Sequence, residues 1–180
     1  MSRLDDTDIV ARCALYPRYN DTHGVFSPER FVGLNNTTVN GSRRWVTSIA
    51  CRKYLPTIAD MHAYGCRAAR AANARIEHDL QRAPRFGENR VYYRGYREIE
   101  VRCIRSINGR CYLIDAYWRP VENLREHGQI ELEESISATK SQGAQARTAI
   151  IALLCSIFGP IFGHTCTEDS DVAELLPTFT

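Results

Sequence analysis

The chain has 180 residues, of which 44% are hydrophobic and 24% charged, the proportions of a globular domain with enough apolar material for a core. These figures exclude a wholly disordered chain, a collagen-like fibre and a polytopic membrane protein. The formal charge is +2, but it divides into −1 over residues 1–42, +9 over 43–110 and −6 over 111–180.

In chain order, Thr7 as a cap and Pro17 as a stop predict a short helix near residues 8–15. It opens a loop-rich, helical N-terminal segment over 1–44. Ser27-Pro28 predicts one helical turn over about 28–33, and Asn40-Gly41 a hairpin between 37–39 and 42–46. A long helix follows over 57–82, started by Thr57 with Asp60 three residues on and forbidden to continue by Pro84. One stripe of it collects Ile58, Met61, Gly65, Ala68, Ala72, Ile76 and Leu80, while Arg67, Arg70 and Arg82 lie opposite and Arg75 at the margin.

Asn108-Gly109 is the strongest turn signal and predicts a hairpin between strands over about 90–107 and 110–118. Its register sets Ile99 and Val101 opposite Trp118 and Ala116, and Arg102 opposite Asp115. Ile130 and Leu132 alternating with glutamates predict a third strand over 129–134. Ser135 or Ser137 caps a last helix over 138–158, and an acidic, loosely held tail follows from 165 to 180. Together these predict one α+β domain with its core at 57–158: an antiparallel sheet of three or more strands against two long helices.

The 16 uncharged residues from Thr148 to Gly163 fall short of the ~20 a membrane-spanning helix needs, and Gly159-Pro160 interrupts them. No membrane contact is expected. Seven cysteines without a C-x-x-C pair and no apolar leader at the start predict reduced thiols in a cytoplasmic chain.

The helix, three-strand, helix order, with Ala144, Ala149, Ala152 and Leu153 spaced along the last helix, is similar to that of the double-stranded-RNA-binding domain over at most residues 57–158. That resemblance implies recognition of RNA by shape. The family's lysine cluster is reduced here to Lys140 followed by Ser141-Gln142-Gly143, and its Gly-Pro-His loop is missing, so no family is assigned.

Residues 90–97 interleave Tyr92, Tyr93 and Tyr96 with Arg90, Arg94 and Arg97. Rings paired with cations hold single-stranded nucleic acid, and with Arg67, Arg70 and Arg82 they make a candidate basic surface. The same residue types also suit an ordinary solvated face, and strand alternation points Tyr92 and Tyr93 opposite ways. The leading expectation is a non-catalytic binding or regulatory module that uses this surface to engage nucleic acid or an acidic protein partner, with no cofactor. A homo-oligomer is compatible with the charge division. The alternative is a small Cys/His-dependent enzyme in which Cys66 is the nucleophile, His62 at i−4 its base and Asp60 the orienting carboxylate. His62 and Cys66, joined by Cys51, are also the candidate metal ligands, although the close ligand pairs of a zinc site are missing.

Overall fold

The computed structural model describes residues 1–19, 27–32, 34–39, 42–82, 90–109, 112–122, 124–134 and 140–170. The strands are β1 (Ser2–Arg3), β2 (Ile9–Tyr16), β3 (Asn35–Val39), β4 (Ser42–Cys51), β5 (Tyr92–Glu100), β6 (Tyr112–Trp118), β7 (His127–Glu134) and β8 (Phe162–Gly163). The helices are α1 (Pro28–Val32), α2 (Ile58–Leu80), α3 (Val101–Arg105) and α4 (Lys140–Ile157). The strands form one antiparallel sheet in the order β1-β6-β7-β4-β2-β5-β8, with β3 paired to β4. The fold is therefore α+β with two long helices, as expected.

The sheet separates two cores. On one side Phe31 and Val32 of α1, Ile104 of α3 and Leu154 of α4 pack with Val10, Ile49, Ile114, Ile130 and Leu132. On the other, Met61, Tyr64, Cys66, Ala69 and Ala72 of α2 pack with Ala11, Ala50, Tyr93 and Tyr96. α2 begins as its sequence dictates. Thr57 Oγ1 accepts from the Asp60 amide and Asp60 Oδ2 from the Thr57 amide, both at 3.0 Å, which closes a capping box. The buried stripe keeps Met61, Gly65 and Ala72, but Ile58 and Leu80 at the helix ends are exposed.

Residues 9–16 form a strand, not the expected helix. β2 lies inside the sheet and is covered on both faces: Val10 and Ala14 enter one core, Ala11, Cys13 and Leu15 the other. Such a strand carries no alternating pattern and reads like a buried helix. Among the described residues of the N-terminal segment, α1 is the one helix, and β1, β2, β3 and the start of β4 are strands. The hairpin expected at Asn40-Gly41 pairs Val39 with Ser42 and Asn35 with Val46; its corner lies outside the described residues, as do Pro84, Ser135 and Ser137.

The hairpin expected at Asn108-Gly109 is not formed. β5 pairs with β2, placing Ile99 against Val10, while β6 pairs with β7, placing Ala116 against Ile130 and Trp118 against Gly128. Between them the chain coils into α3, because Val101 and Ile104, both wholly buried, have helical rather than strand spacing. Asn108 spends its Oδ1 on the Ile114 amide at 2.5 Å. Arg102 pairs with Glu100, and Asp115 is taken by Arg3 and Arg105. With β7, β4 and β2 standing between β6 and β5, the topology does not extend the similarity to the double-stranded-RNA-binding domain.

Two irregularities interrupt the sheet around β2. The β2–β5 register shifts between Ala14 and Leu15, which face Gly95 and Tyr93, so Arg94 is an extra residue in β5. Gly95, at φ +126°, takes the backbone through a conformation that side chains oppose. Tyr93 and Tyr96, three apart, therefore reach the same core. The second irregularity lies along one edge of β4. β3 pairs there over Ser42–Val46 and β2 over Ala50–Cys51, leaving residues 47–49 without a strand partner on that side among the described residues.

Candidate anion-binding site

The fold disperses the residues singled out from sequence. Tyr92, Tyr93 and Tyr96 are 1%, 0% and 1% exposed and belong to the interior, so none presents a stacking face to solvent. Tyr93 OH lies 3.0 Å from His62 Nδ1, and Tyr96 stacks on Phe162 at 4.9 Å. The acidic last third answers the arginines: Arg67 meets Glu126 at 3.0 Å, Arg70 Glu168 at 2.6 Å and Arg90 Asp169 at 3.0 Å. Arg94 donates to Thr165 Oγ1 at 2.7 Å, and Arg97 lies over the Phe31 ring. Arg82 is exposed just beyond α2. A second cavity, of about 310 Å³, contains Arg70 and Arg90 but also Glu77, Glu168 and Asp169, so carboxylates outnumber its cations.

Cys66 is bonded to Cys166, which corrects the expectation of reduced thiols throughout; Cys13, Cys51, Cys103 and Cys155 remain free. A disulfide sulfur is neither a nucleophilic thiolate nor a metal ligand. Asp60 is occupied by Thr57, whose hydrogen bonds hold its carboxyl below the ordinary range. His62 stacks on His164 at 4.2 Å, and burial, then His164, lower its pKa. Burial pushes the Cys51 thiol up to about 12. No group of three metal-binding side chains occurs among the described residues. At the described start of the tail, Cys166 is bonded to Cys66, and Glu168 and Asp169 pair with Arg70 and Arg90.

The opening beside β4 is where uncompensated charge gathers. Arg12 turns into it from β2. Its Nε donates to the Phe31 carbonyl at 2.9 Å and its Nη1 to the Ser48 carbonyl at 2.7 Å, supplying a donor where the sheet provides none. Its Nη2 has no hydrogen-bond partner among the described residues. Over this point α2, β2, α1 and the start of β7 enclose a cavity of about 420 Å³. Arg12, Arg18, Arg30 and Arg75 line it, and no aspartate or glutamate does among the described residues. None of the four is in an ion pair among those residues.

Arg18, Arg30 and Arg75 are exposed, whereas Arg12 is half-buried and lies deeper. Burial, with Arg18 adding in the same sense, lowers the Arg12 pKa; desolvation and then the charge of Arg75 lower that of Arg18. Like charges held together at the cost of mutual repulsion create a standing demand for an anion. Tyr64, Leu15, Val121 and Leu124 give the same cavity an apolar side, and His127 and Gln129 a polar one.

This group is built from four separate segments, so no motif announces it. The one signal was Arg12 itself, a charge inside an otherwise apolar run from Ile9 to Tyr16, which a buried strand admits only with partners. No protein-family model matches the chain, and no curated protein or solved structure matches it either. No helix among the described residues is long and apolar enough to cross a membrane.

Proposed function

We propose that this chain is a non-catalytic binding module for a phosphate-bearing ligand, a nucleotide or a nucleic-acid end, seated in the cavity between α2 and the sheet. The observation that carries the reading is the set Arg12, Arg18, Arg30 and Arg75 around one concavity without a carboxylate among the described residues. Guanidinium matches phosphate with paired donors. The cavity's size lies within the range of small-ligand sites, and Leu15, Val121 and Leu124 offer a nucleobase an apolar surface that phosphate alone does not need. The tyrosine and arginine surface anticipated along β5 has its rings buried and its cations engaged, so the basic function passes to the cavity. The cytoplasm, where nucleotides abound, is the proposed setting. A broad acidic protein surface reaches the half-buried Arg12 less well than a small anion does and is the competing outcome.

Calorimetric titration with inorganic phosphate, adenosine monophosphate and an end-phosphorylated oligonucleotide at low salt tests the proposal. Binding is expected, weakening as salt rises. Arg12→Met and Arg75→Ala should each lower affinity by about tenfold, the ~1.4 kcal/mol of one charge-assisted contact. Arg70→Ala and Arg90→Ala, whose arginines already meet acids, should change it little. No binding by any phosphate probe, together with binding of poly-glutamate, would replace the proposal with the acidic-partner reading.

A further inference from the structure

Resting on the phosphate reading of the cavity, a second feature narrows the ligand. His127, 7% exposed, opens β7, opposite Ala50 of β4, and lines the cavity alongside Arg12. Its Nδ1 lies 2.7 Å from the backbone carbonyl of Arg119. A carbonyl only accepts, so Nδ1 carries the hydrogen and the neutral ring keeps its lone pair on Nε2. That nitrogen has no hydrogen-bond partner among the described residues. The cavity thus combines four cationic donors with one basic acceptor.

We infer that His127 Nε2 makes the cavity specific for a terminal phosphomonoester over a phosphodiester, by sharing one proton with the bound phosphate. A monoester near neutrality exchanges one proton with solvent, its second ionisation lying near pH ~6. It can enter as the singly protonated anion, whose P–O–H donates to Nε2. It can also enter as the dianion, drawing a proton from solvent onto Nε2, which then donates to a phosphate oxygen. Either route ends with one proton between ring and phosphate. A diester has no P–O–H and carries a single charge. It meets the lone pair with an oxygen that has nothing to donate.

The surroundings keep the ring ready for this role. Burial, then the charges of Arg119 and Arg12, hold the His127 pKa below its ordinary value against the opposing pull of the hydrogen bond to the Arg119 carbonyl, so the ring is neutral at pH 7. The other ionisable groups nearby do not compete for the proton. Burial raises the Tyr64 pKa and pushes the Cys13 thiol up to about 12, leaving both un-ionised, and Glu126 is engaged by Arg67. Arg119 directs its guanidinium to Gln129 and Glu131.

The test is calorimetry at pH 7 with adenosine monophosphate and its methyl ester, each in buffers of different ionisation enthalpy. Wild type should take up close to one proton on binding the monophosphate, given a monoester pKa of ~6, and prefer it to the methyl ester by about tenfold or more. His127→Asn keeps an amide donor for the Arg119 carbonyl but lacks Nε2. It should abolish the uptake and reduce the preference to about threefold or less. If circular dichroism shows that variant unfolded, His127→Gln serves the same purpose. Binding of the monophosphate without proton uptake, or equal affinity for both probes, would overturn the role of His127 and leave the phosphate cavity intact. Failure of both the monophosphate and inorganic phosphate to bind would remove the cavity reading, and this inference with it.

Discussion

Gly65 stands in the middle of α2, and replacing it with alanine sets two physical effects against each other. Helix propensity alone favours Gly65→Ala by about 1 kcal/mol. The packing opposes it. A Cβ at this position would overlap the Tyr93 ring, meeting Cε2 and Cζ first and Cδ2 at 2.6 Å. The ring cannot retreat cheaply, since it is wholly buried and its hydroxyl is fixed on His62 Nδ1. Forcing a methyl group into a filled core costs roughly 1–3 kcal/mol, and more when backbone must move. The net expectation is a loss of up to about 2 kcal/mol, against the gain that propensity alone gives. Urea unfolding reads it as a lower midpoint at unchanged slope. In a Tyr93→Leu background, where the ring is gone, the same Gly65→Ala change should become neutral or stabilising, giving a coupling energy of about 1 kcal/mol or more. Stabilisation by Gly65→Ala in the otherwise native chain would refute the close packing of α2 on β5.

Two further outcomes concern the tail and the histidines. The Cys66–Cys166 bond joins residues 100 apart, so Cys66→Ser, or reduction of the native protein, should lower unfolding stability by about 2–5 kcal/mol; equal stability with and without a reducing dithiol would contradict the bond. Burial, the larger cause for each, holds the imidazoles of His62 and His127 below their ordinary 6.5. The unfolded chain therefore takes up protons first as pH falls. Their contribution is whole above about pH 6.5 and declines as the pH drops toward their folded values. Melting temperature should fall between pH 7 and 5.5 by a few degrees, and His127→Asn should flatten that slope. A melting temperature that rises on acidification would reverse the assigned sign.

Much of the α2 and α4 architecture was legible because it depends on neighbours in sequence. Thr57 and Asp60 cap a helix wherever it packs, and Ile130 and Leu132 alternate with Glu131, which turns to the other face of β7 and is buried there against Arg44. β2 was misread because two-sided burial erases alternation. The register at 99–118 was misread because Asn108-Gly109 is a local preference, and the pairing of Ile99 with Val10 outweighs it. Even the parity of β5 depends on its partner: the extra residue at Arg94 turns Tyr93 and Tyr96 to one side, which counting by twos denies. Whether the acidic last third neutralises the arginines of the basic middle is decided by the fold, not by the division of charge along the chain. Glu126, Glu168 and Asp169 supply the neutralisation. What remained was four arginines drawn from β2, the turn after it, α1 and α2, a grouping that only the fold can make.

The most direct measurement tracks the guanidinium Nε–H signals of the arginines by NMR while inorganic phosphate is added. The cavity account requires Arg12, Arg18 and Arg75 to shift together and saturably, with Arg70 and Arg90 still. Shifts confined to Arg70, Arg90 and Arg94, or none at any arginine, would contradict it.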